Sequence, residues 1–353
     1  MLVRGALPVP LYIVVIAAAV AVILSLVTLG LGVFVGKPRL GRELAESLGV
    51  PHPAVIAHRG AAYDAPEETR PAFLLARELG ADYLELDVQR TKDGVLIAFH
   101  DDDLRRTTNV AEVFAGRDQD PVDHFTFAEL QQLDAGSWFN TMFPGRARAS
   151  FKGLKILRLE EVMDIAEGGS HRSGLYVETK SAPRYPGIEQ QLVATLAARG
   201  WISPGHRYPA RVIFQSFHAR SLALLKTLAP QIPAVLLIDE TMMATQGWPG
   251  LLQTAKETGA GIGTWGYAWS RDTQWAIERA PRRYMTTWPW YTGQAHAAGL
   301  LVHPWTVDSR WEMWMVSLSG VDGFFTNRAD LALAFYGKAK SIDPAALWLK
   351  IGY

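Results

Sequence analysis

The chain has 353 residues, enough for one closed α/β barrel of about 250 residues plus an appendage. Lys and Arg number 35 and so do Asp and Glu, so no broad positive field exists to hold nucleic acid. Cysteine is absent, which excludes disulfides, thiolate catalysis and Cys-ligated metal and leaves oxygen or imidazole as the only ligands for an ion.

Taken in order, the chain opens with an uncharged stretch from Gly5 to Gly36, of which residues 11–35 are almost wholly Val, Ile, Leu, Ala and Phe. At 1.5 Å per residue such a run crosses a hydrocarbon core of ~30 Å. A secretory signal is shorter and ends at a small-residue site that is missing here, so the reading is a single-pass anchor in the cell membrane, in contact with lipid through residues 11–35. Arg4 flanks one end and Lys37, Arg39 and Arg42 the other, a bias toward a cytoplasmic catalytic domain too small to settle its side. The expected organisation is an anchor at 1–36, a polar linker at 37–53, a barrel at 54–337 and a tail at 338–353.

From residue 54, strand-like apolar runs alternate with helical patterns, the signature of parallel βαβ units. Strands are predicted at 55–58, 83–89, 175–180, 211–216, 234–238, 261–265, 300–307 and 323–326, and helices at 69–79, 188–199, 219–228, 251–258, 310–318 and 328–335. Eight strands suit a (β/α)₈ TIM barrel of the α/β class, preceded by one transmembrane helix. Residues 101–173 are too long for a simple connection and are read as an insertion over the active-site end.

Glu85 and Asp87 stand two apart in a predicted strand and so share one face, while Leu84, Leu86 and Val88 take the other. Glu178 and Lys180 repeat that spacing. Carboxylates crowded at one site are kept ionised by a cation, and three of them favour a hard ion such as Ca²⁺ or Mg²⁺. His58 and His100 each end an apolar run, and imidazole is the side chain that gives or takes a proton near neutral pH. Arg59 supplies a planar fork for phosphate oxygens.

His58-Arg59-Gly60, Pro66-Glu67-Glu68-Thr69, Glu85-Leu86-Asp87-Val88, Thr91-Lys92-Asp93-Gly94 and His100-Asp101 resemble the opening signature of the glycerophosphodiester phosphodiesterase family, here in the form of a bacterial, membrane-anchored member. The resemblance continues through Glu178-Thr179-Lys180, Gln215-Ser216-Phe217, Trp305-Thr306-Val307 and Gly320-Val321-Asp322-Gly323, covering residues 54–335. It implies a phosphodiesterase barrel, one divalent cation (Ca²⁺ or Mg²⁺), and hydrolysis of a glycerophosphodiester, free or as a lysolipid, to sn-glycerol 3-phosphate and an alcohol. In such enzymes the substrate's own glycerol hydroxyl often attacks first. Carried over by position, Glu85, Asp87 and Glu178 hold the metal, His58 and His100 form the acid–base pair, Arg59 and Lys180 bind phosphate, Trp305 borders the substrate and Glu67 supports the site.

Three positions depart from the family pattern: Glu68 replaces the usual Asn, and Asn327 and Ala329 replace the usual Asp and Pro in Thr326-Asn327-Arg328-Ala329. Two other readings stay open, a phospholipase D or sphingomyelinase D-like cleavage of lysophospholipids and a non-catalytic anchored module that binds head groups. The other histidines considered, His124, His171, His206, His218, His296 and His303, are read as surface or satisfied core residues. Trp288-Pro289-Trp290-Tyr291 either rims the pocket or touches the bilayer. Oligomeric state is not encoded in any recognisable pattern.

Overall fold

The structure is a computed structural model that describes residues 38–202, 210–266, 286–339 and 343–353, together with Val20 and Val22. The anchor expected at residues 11–35 lies outside the described residues apart from those two valines. Among the described residues no helix is long and apolar enough to cross a membrane.

Eight parallel strands wrap into a barrel: β1 (Ala54–Ala57), β2 (Tyr83–Arg90), β4 (Gly174–Thr179), β5 (Val212–Ser216), β6 (Ala234–Leu237), β7 (Gly261–Gly263), β8 (Leu301–Val302) and β9 (Gly323–Thr326). A short ninth, β3 (Leu96–Ala98), folds back antiparallel on β2. Hydrogen-bonded neighbours run β8-β7-β6-β5-β4-β2-β1-β9. Backbone bonds from Asp322 to Val302 (3.0 Å), Phe325 to Pro304 (2.9 Å) and Val307 to Phe325 (2.9 Å) join the last pair and bring the circle round. β8 is much shorter than predicted because Pro304 has no N–H to extend the ladder.

Period-two alternation sorts the side chains. Ile56, Tyr83, Tyr176, Ile213, Val235, Leu301 and Phe325 pack together inside the barrel, whereas Val55, Leu84, Leu175, Val212, Leu236, Val302 and Phe324 join the core beneath the helices. Two residues further along the inner files stand Glu85, Glu178, Gln215 and Leu237, so the apolar layer is the floor on which a polar layer rests.

Three expectations are corrected. Residues 38–48 form a helix, Pro38–Leu48, where a linker was expected; Gly41, Leu44, Ala45 and Leu48 recur at helical spacing and face the barrel. A Cβ at Gly41 would lie 1.9 Å from Asp322 Oδ1, so only glycine permits this approach. The C-terminal tail likewise carries a docked helix, Pro344–Ile351, with Leu347, Trp348 and Ile351 buried and Lys350 Nζ 2.5 Å from Glu78. Within 101–173, the stretch up to Ile156 builds a small core of its own from Leu104, Val110, Val122, Phe125, Leu130 and Leu133. Helix Leu159–Glu167 belongs to the barrel wall instead, packed on helix Arg70–Leu79.

The other predicted helices are present to within a residue or so, except that 251–258 is the end of a longer element, Glu240–Thr258. It breaks at Gly247 (φ 64°, ψ 166°), just before Pro249. A Gly and a Pro two residues apart read as a stop in sequence.

Candidate active site

Glu85 and Asp87 on β2, Glu178 and Lys180 from β4, Gln215 and Phe217 from β5, and His58 and Arg59 just beyond β1 converge at the C-terminal ends of the strands. With His100, Leu237, Trp305, Thr306 and Phe325 they enclose a cavity of about 190 Å³. Of the nine predicted site residues, eight line it. Glu67 stands behind Arg59 instead, and Trp288, Pro289, Trp290 and Tyr291 are not among the lining residues.

Carboxylate oxygens of Glu85, Asp87 and Glu178 lie within 4.8 Å of one another, all three side chains buried. Glu85 accepts from the Arg59 amide (2.8 Å) and from Gln215 Nε2 (2.8 Å). Among the described residues Asp87 has no hydrogen-bond donor on either carboxylate oxygen; Lys180 Nζ at 3.4 Å and Arg59 Nε at 3.5 Å are its counter-charges. Lys180 also stands 3.3 Å from Glu178.

Burial, then repulsion from Asp87, holds Glu85 well above the usual carboxylate range. Burial lifts Glu178 to about 7 against the pull of Lys180. Asp87 goes the other way: burial opposes ionisation, but Lys180, His100 and Arg59 outweigh it and hold it low. Two near cations therefore do not suffice to ionise three carboxylates, and an all-oxygen donor set with two orphaned oxygens suits a hard divalent ion.

The histidines are oriented from behind. Asn327 Nδ2 donates to Asp308 (2.8 Å), which turns its Oδ1 toward His58 Nδ1 at 2.9 Å. That oxygen can only accept, so Nδ1 carries the proton and Nε2 keeps its lone pair. Burial, aided by Arg59, pushes His58 down to about 3, and the ring is neutral at neutral pH. His100 Nδ1 meets Asp101 Oδ1 at 2.6 Å, and Asp101 is gripped by Arg106 at 2.5 and 2.8 Å. Burial and Arg59 lower His100, while Asp87 and Asp101 support its charged form.

Arg59 donates to Glu67 at 3.0 Å, and Arg106 binds the same carboxylate twice, at 2.9 and 2.7 Å. Burial raises Glu67, but the two guanidinium groups outweigh it and bring it down to about 2. Glu68 accepts from the Asp87 amide at 2.6 Å and leaves its second oxygen buried without a partner; burial and Asp87 hold it high. Both Arg59 and Glu68 sit in the left-handed backbone region, each with φ 55°.

Trp305 lines the wall edge-on to Phe217, ring centroids 5.8 Å apart. Gln215, Asn327, Asp101 and Arg106 are the neighbours of the site that sequence reasoning quoted without a role or passed over; the first three lie within the motif segments, and Arg106 gave no signal. His296 and His303 are buried at the barrel floor, below the cavity. His303 Nδ1 meets Tyr176 (3.1 Å) and His296 Nε2 meets Asp322 (2.9 Å), but His303 Nε2 and His296 Nδ1 have no partner among the described residues, so neither ring is fully satisfied there. His206 lies outside the described residues.

Residues 58–331 match the Glycerophosphoryl diester phosphodiesterase family. The glycerophosphodiester phosphodiesterase of Bacillus subtilis (strain 168) is 36% identical over 311 residues, covering 88% of this chain and 96% of that protein. Among solved structures, glycerophosphodiester phosphodiesterase from Agrobacterium tumefaciens superposes with a TM-score of 0.56 at 26% identity, over 80% of this chain and 99% of that one. An Oleispira antarctica phosphodiesterase in complex with its product sn-glycerol-3-phosphate gives 0.60 at 23% identity, over 81% and 97%, a likeness of fold.

Proposed function

Because this chain belongs to the glycerophosphoryl diester phosphodiesterase family and is itself a glycerophosphodiester phosphodiesterase, we propose that it hydrolyses glycerophosphodiesters to sn-glycerol 3-phosphate and an alcohol, with a divalent cation, Ca²⁺ or Mg²⁺, and a pair of histidines. The observation that carries this reading is the packing of three carboxylates, two cationic side chains and two imidazoles around one cavity at the catalytic end of the barrel.

Glu85, Asp87 and Glu178 would hold the cation, which when bound polarises a phosphoryl oxygen and neutralises developing charge. Arg59 and Lys180 bind and orient the remaining phosphate oxygens from opposite sides of Asp87. His58, neutral with its Nε2 lone pair free, takes the proton of the attacking hydroxyl. His100, whose charged form is supported by Asp101, gives a proton to the leaving oxygen. Trp305 and Phe217 offer an apolar wall to the non-phosphate part of the substrate. Residues 11–35 anchor the enzyme in the cell membrane.

The test is release of glycerol 3-phosphate from glycerophosphocholine by the full chain in detergent, with Ca²⁺ or Mg²⁺, with chelator, and with His58→Ala. Release that needs the ion and disappears in the variant supports the reading. Release that is indifferent to chelator removes the cation, and choline release from sphingomyelin in place of glycerol 3-phosphate release would move the enzyme to the phospholipase D-like class.

A further inference from the structure

Two neighbouring helices on one flank of the barrel, Pro289–Ala297 and Arg310–Leu318, expose an unusual surface. Trp288 and Trp290 at the start of the first and Trp314 and Leu318 on the second are each between 48% and 58% exposed. These are aromatic and apolar side chains that the fold leaves in water. The two helices are adjacent in space: a Cβ at Gly320, just past the second, would lie 3.9 Å from Thr292 of the first.

Neither helix presents a carboxylate outward. Their one acidic residue, Glu312, is buried and spends its oxygens on Ser309, whose amide and hydroxyl donate to it at 3.0 and 2.8 Å. Arg310 is the exposed cation of the pair. The next two helices round the barrel contrast with them: helix Ala219–Leu228 exposes Arg220 and Lys226, and helix Glu240–Thr258, whose Trp248 packs edge-on to Tyr291 with ring centroids 4.9 Å apart, exposes Lys256 and Glu257. Tryptophans with a cation and no anion suit the boundary between lipid head groups and acyl chains.

The chain's own path fixes which occupant fits. Helix Pro38–Leu48 docks against this same flank: a Cβ at Gly41 would lie 2.9 Å from the ring of His296, near the end of helix Pro289–Ala297. Immediately upstream is the uncharged stretch that ends at Gly36. Five residues of chain reach at most about 18 Å, so a bilayer holding that stretch is never far from the tryptophans.

We propose that the flank formed by helices Pro289–Ala297 and Arg310–Leu318 is a bilayer-docking surface, with Trp288, Trp290, Trp314 and Leu318 seated at the lipid head-group level. The inference rests on the anchor reading for the position of the membrane, and it adds a second, lateral contact. The barrel then lies on its side.

Absence of cysteine makes the test direct. Single variants Ser25→Cys, Trp290→Cys, Trp314→Cys and Lys256→Cys of the full chain are labelled with a polarity-sensitive fluorophore and reconstituted in equimolar phosphatidylcholine and phosphatidylglycerol vesicles. Retained activity on glycerophosphocholine verifies that each is folded. The expected result is that lipid-borne nitroxide removes more than about half the emission at positions 25, 290 and 314 and leaves 256 untouched. Quenching at 25 with 290 and 314 behaving like 256 overturns the docking surface and leaves the anchor standing. Quenching at 290 and 314 but not at 25 supports the surface and removes the anchor. Shielding of 290 and 314 from aqueous iodide without lipid quenching also overturns it, because residues 5–36 or a second copy then cover the flank.

Discussion

Arg106 grips Glu67 with two parallel hydrogen bonds, 2.9 and 2.7 Å, and with the same guanidinium holds Asp101, the partner of His100. One planar fork thereby ties the support of Arg59, the proposed phosphate ligand, to the orientation of an imidazole. Lysine keeps the charge but not the fork. Arg106→Lys is expected to lower kcat by about 10- to 100-fold, the usual scale for losing an outer partner that aims a functional group, with little change in KM. A change confined to KM would mean that Arg106 acts on substrate binding and not on His100.

Replacing either imidazole should be more severe. His58→Ala and His100→Ala each remove a proposed proton-transfer group, for which the expected loss is roughly 10²- to 10⁴-fold, and circular dichroism should remain that of the parent, because both side chains stand above the apolar floor of the barrel. Activity within a few-fold of wild type in either variant would take that histidine out of the chemistry.

Metal binding can be read without turnover. Calorimetric melting of the apo chain should shift upward on addition of Ca²⁺ or Mg²⁺ by the amount that mass action gives, about 2.7 kcal/mol when the ion stands at 100 times its Kd. Asp87→Asn should abolish the shift, since it removes the negative charge and replaces one of the two carboxylate oxygens that lack a hydrogen-bond donor with an NH₂ group that cannot ligate a cation. An undiminished shift in that variant places the ion elsewhere.

Gln215→Leu leaves Glu85 Oε1 buried with no donor, because Gln215 Nε2 supplies its 2.8 Å bond. The expected loss is about 1–3 kcal/mol of folding stability in the apo protein, seen as a lower urea midpoint at unchanged m-value. Bound cation should restore part of the loss.

Stability should also fall in mild acid. Burial pushes His303 down to about 4, with Asp322 pulling it up and His52 adding to the depression. In the unfolded chain an imidazole titrates near ~6.5, so between that pH and about 4 the unfolded state binds a proton that the folded state refuses. Stability is therefore lost as pH falls through this window, at up to about 1.4 kcal/mol per pH unit for each such ring, and is flat above it. His58 adds a slope of the same sign, down to about 3. Urea midpoints at two pH values within the window should converge partly in His303→Gln; an unaltered slope would show that the floor imidazole does not carry the effect.

What could be read in the sequence was whatever a short-range period enforces. Glu85 with Asp87, and Glu178 with Lys180, share a face because a strand alternates, and the alternation holds wherever the strand is placed. The bonds that aim these groups join residues far apart: His58 to Asn327 across the closure of the barrel, Glu67 to Arg106 from the excursion, Glu85 to Gln215 across β4. No local pattern announces such pairs. Helix Pro38–Leu48 is a different case, since Gly41, Leu44, Ala45 and Leu48 do mark a stripe. Its polar, proline-containing composition made it read as a linker, and Gly41, which weakens the helix in isolation, is the residue that lets it close on Asp322.

Arg59 and Glu68 also set a limit on how far this enzyme can be hardened by selection. The amide of Glu68 donates to the carbonyl of Arg59 at 3.0 Å, and both residues hold a left-handed backbone that costs an ordinary side chain roughly 1–2 kcal/mol. A screen for heat tolerance alone would drift toward Asn at position 68, where relief of the backbone comes with the removal of a buried carboxylate while an amide oxygen is kept for the Asp87 N–H that Glu68 now accepts at 2.6 Å. Position 59 offers the same relief and no such exit, because glycine there removes the fork. Laboratory evolution of this barrel should therefore separate the two positions, the first changing early and the second not at all.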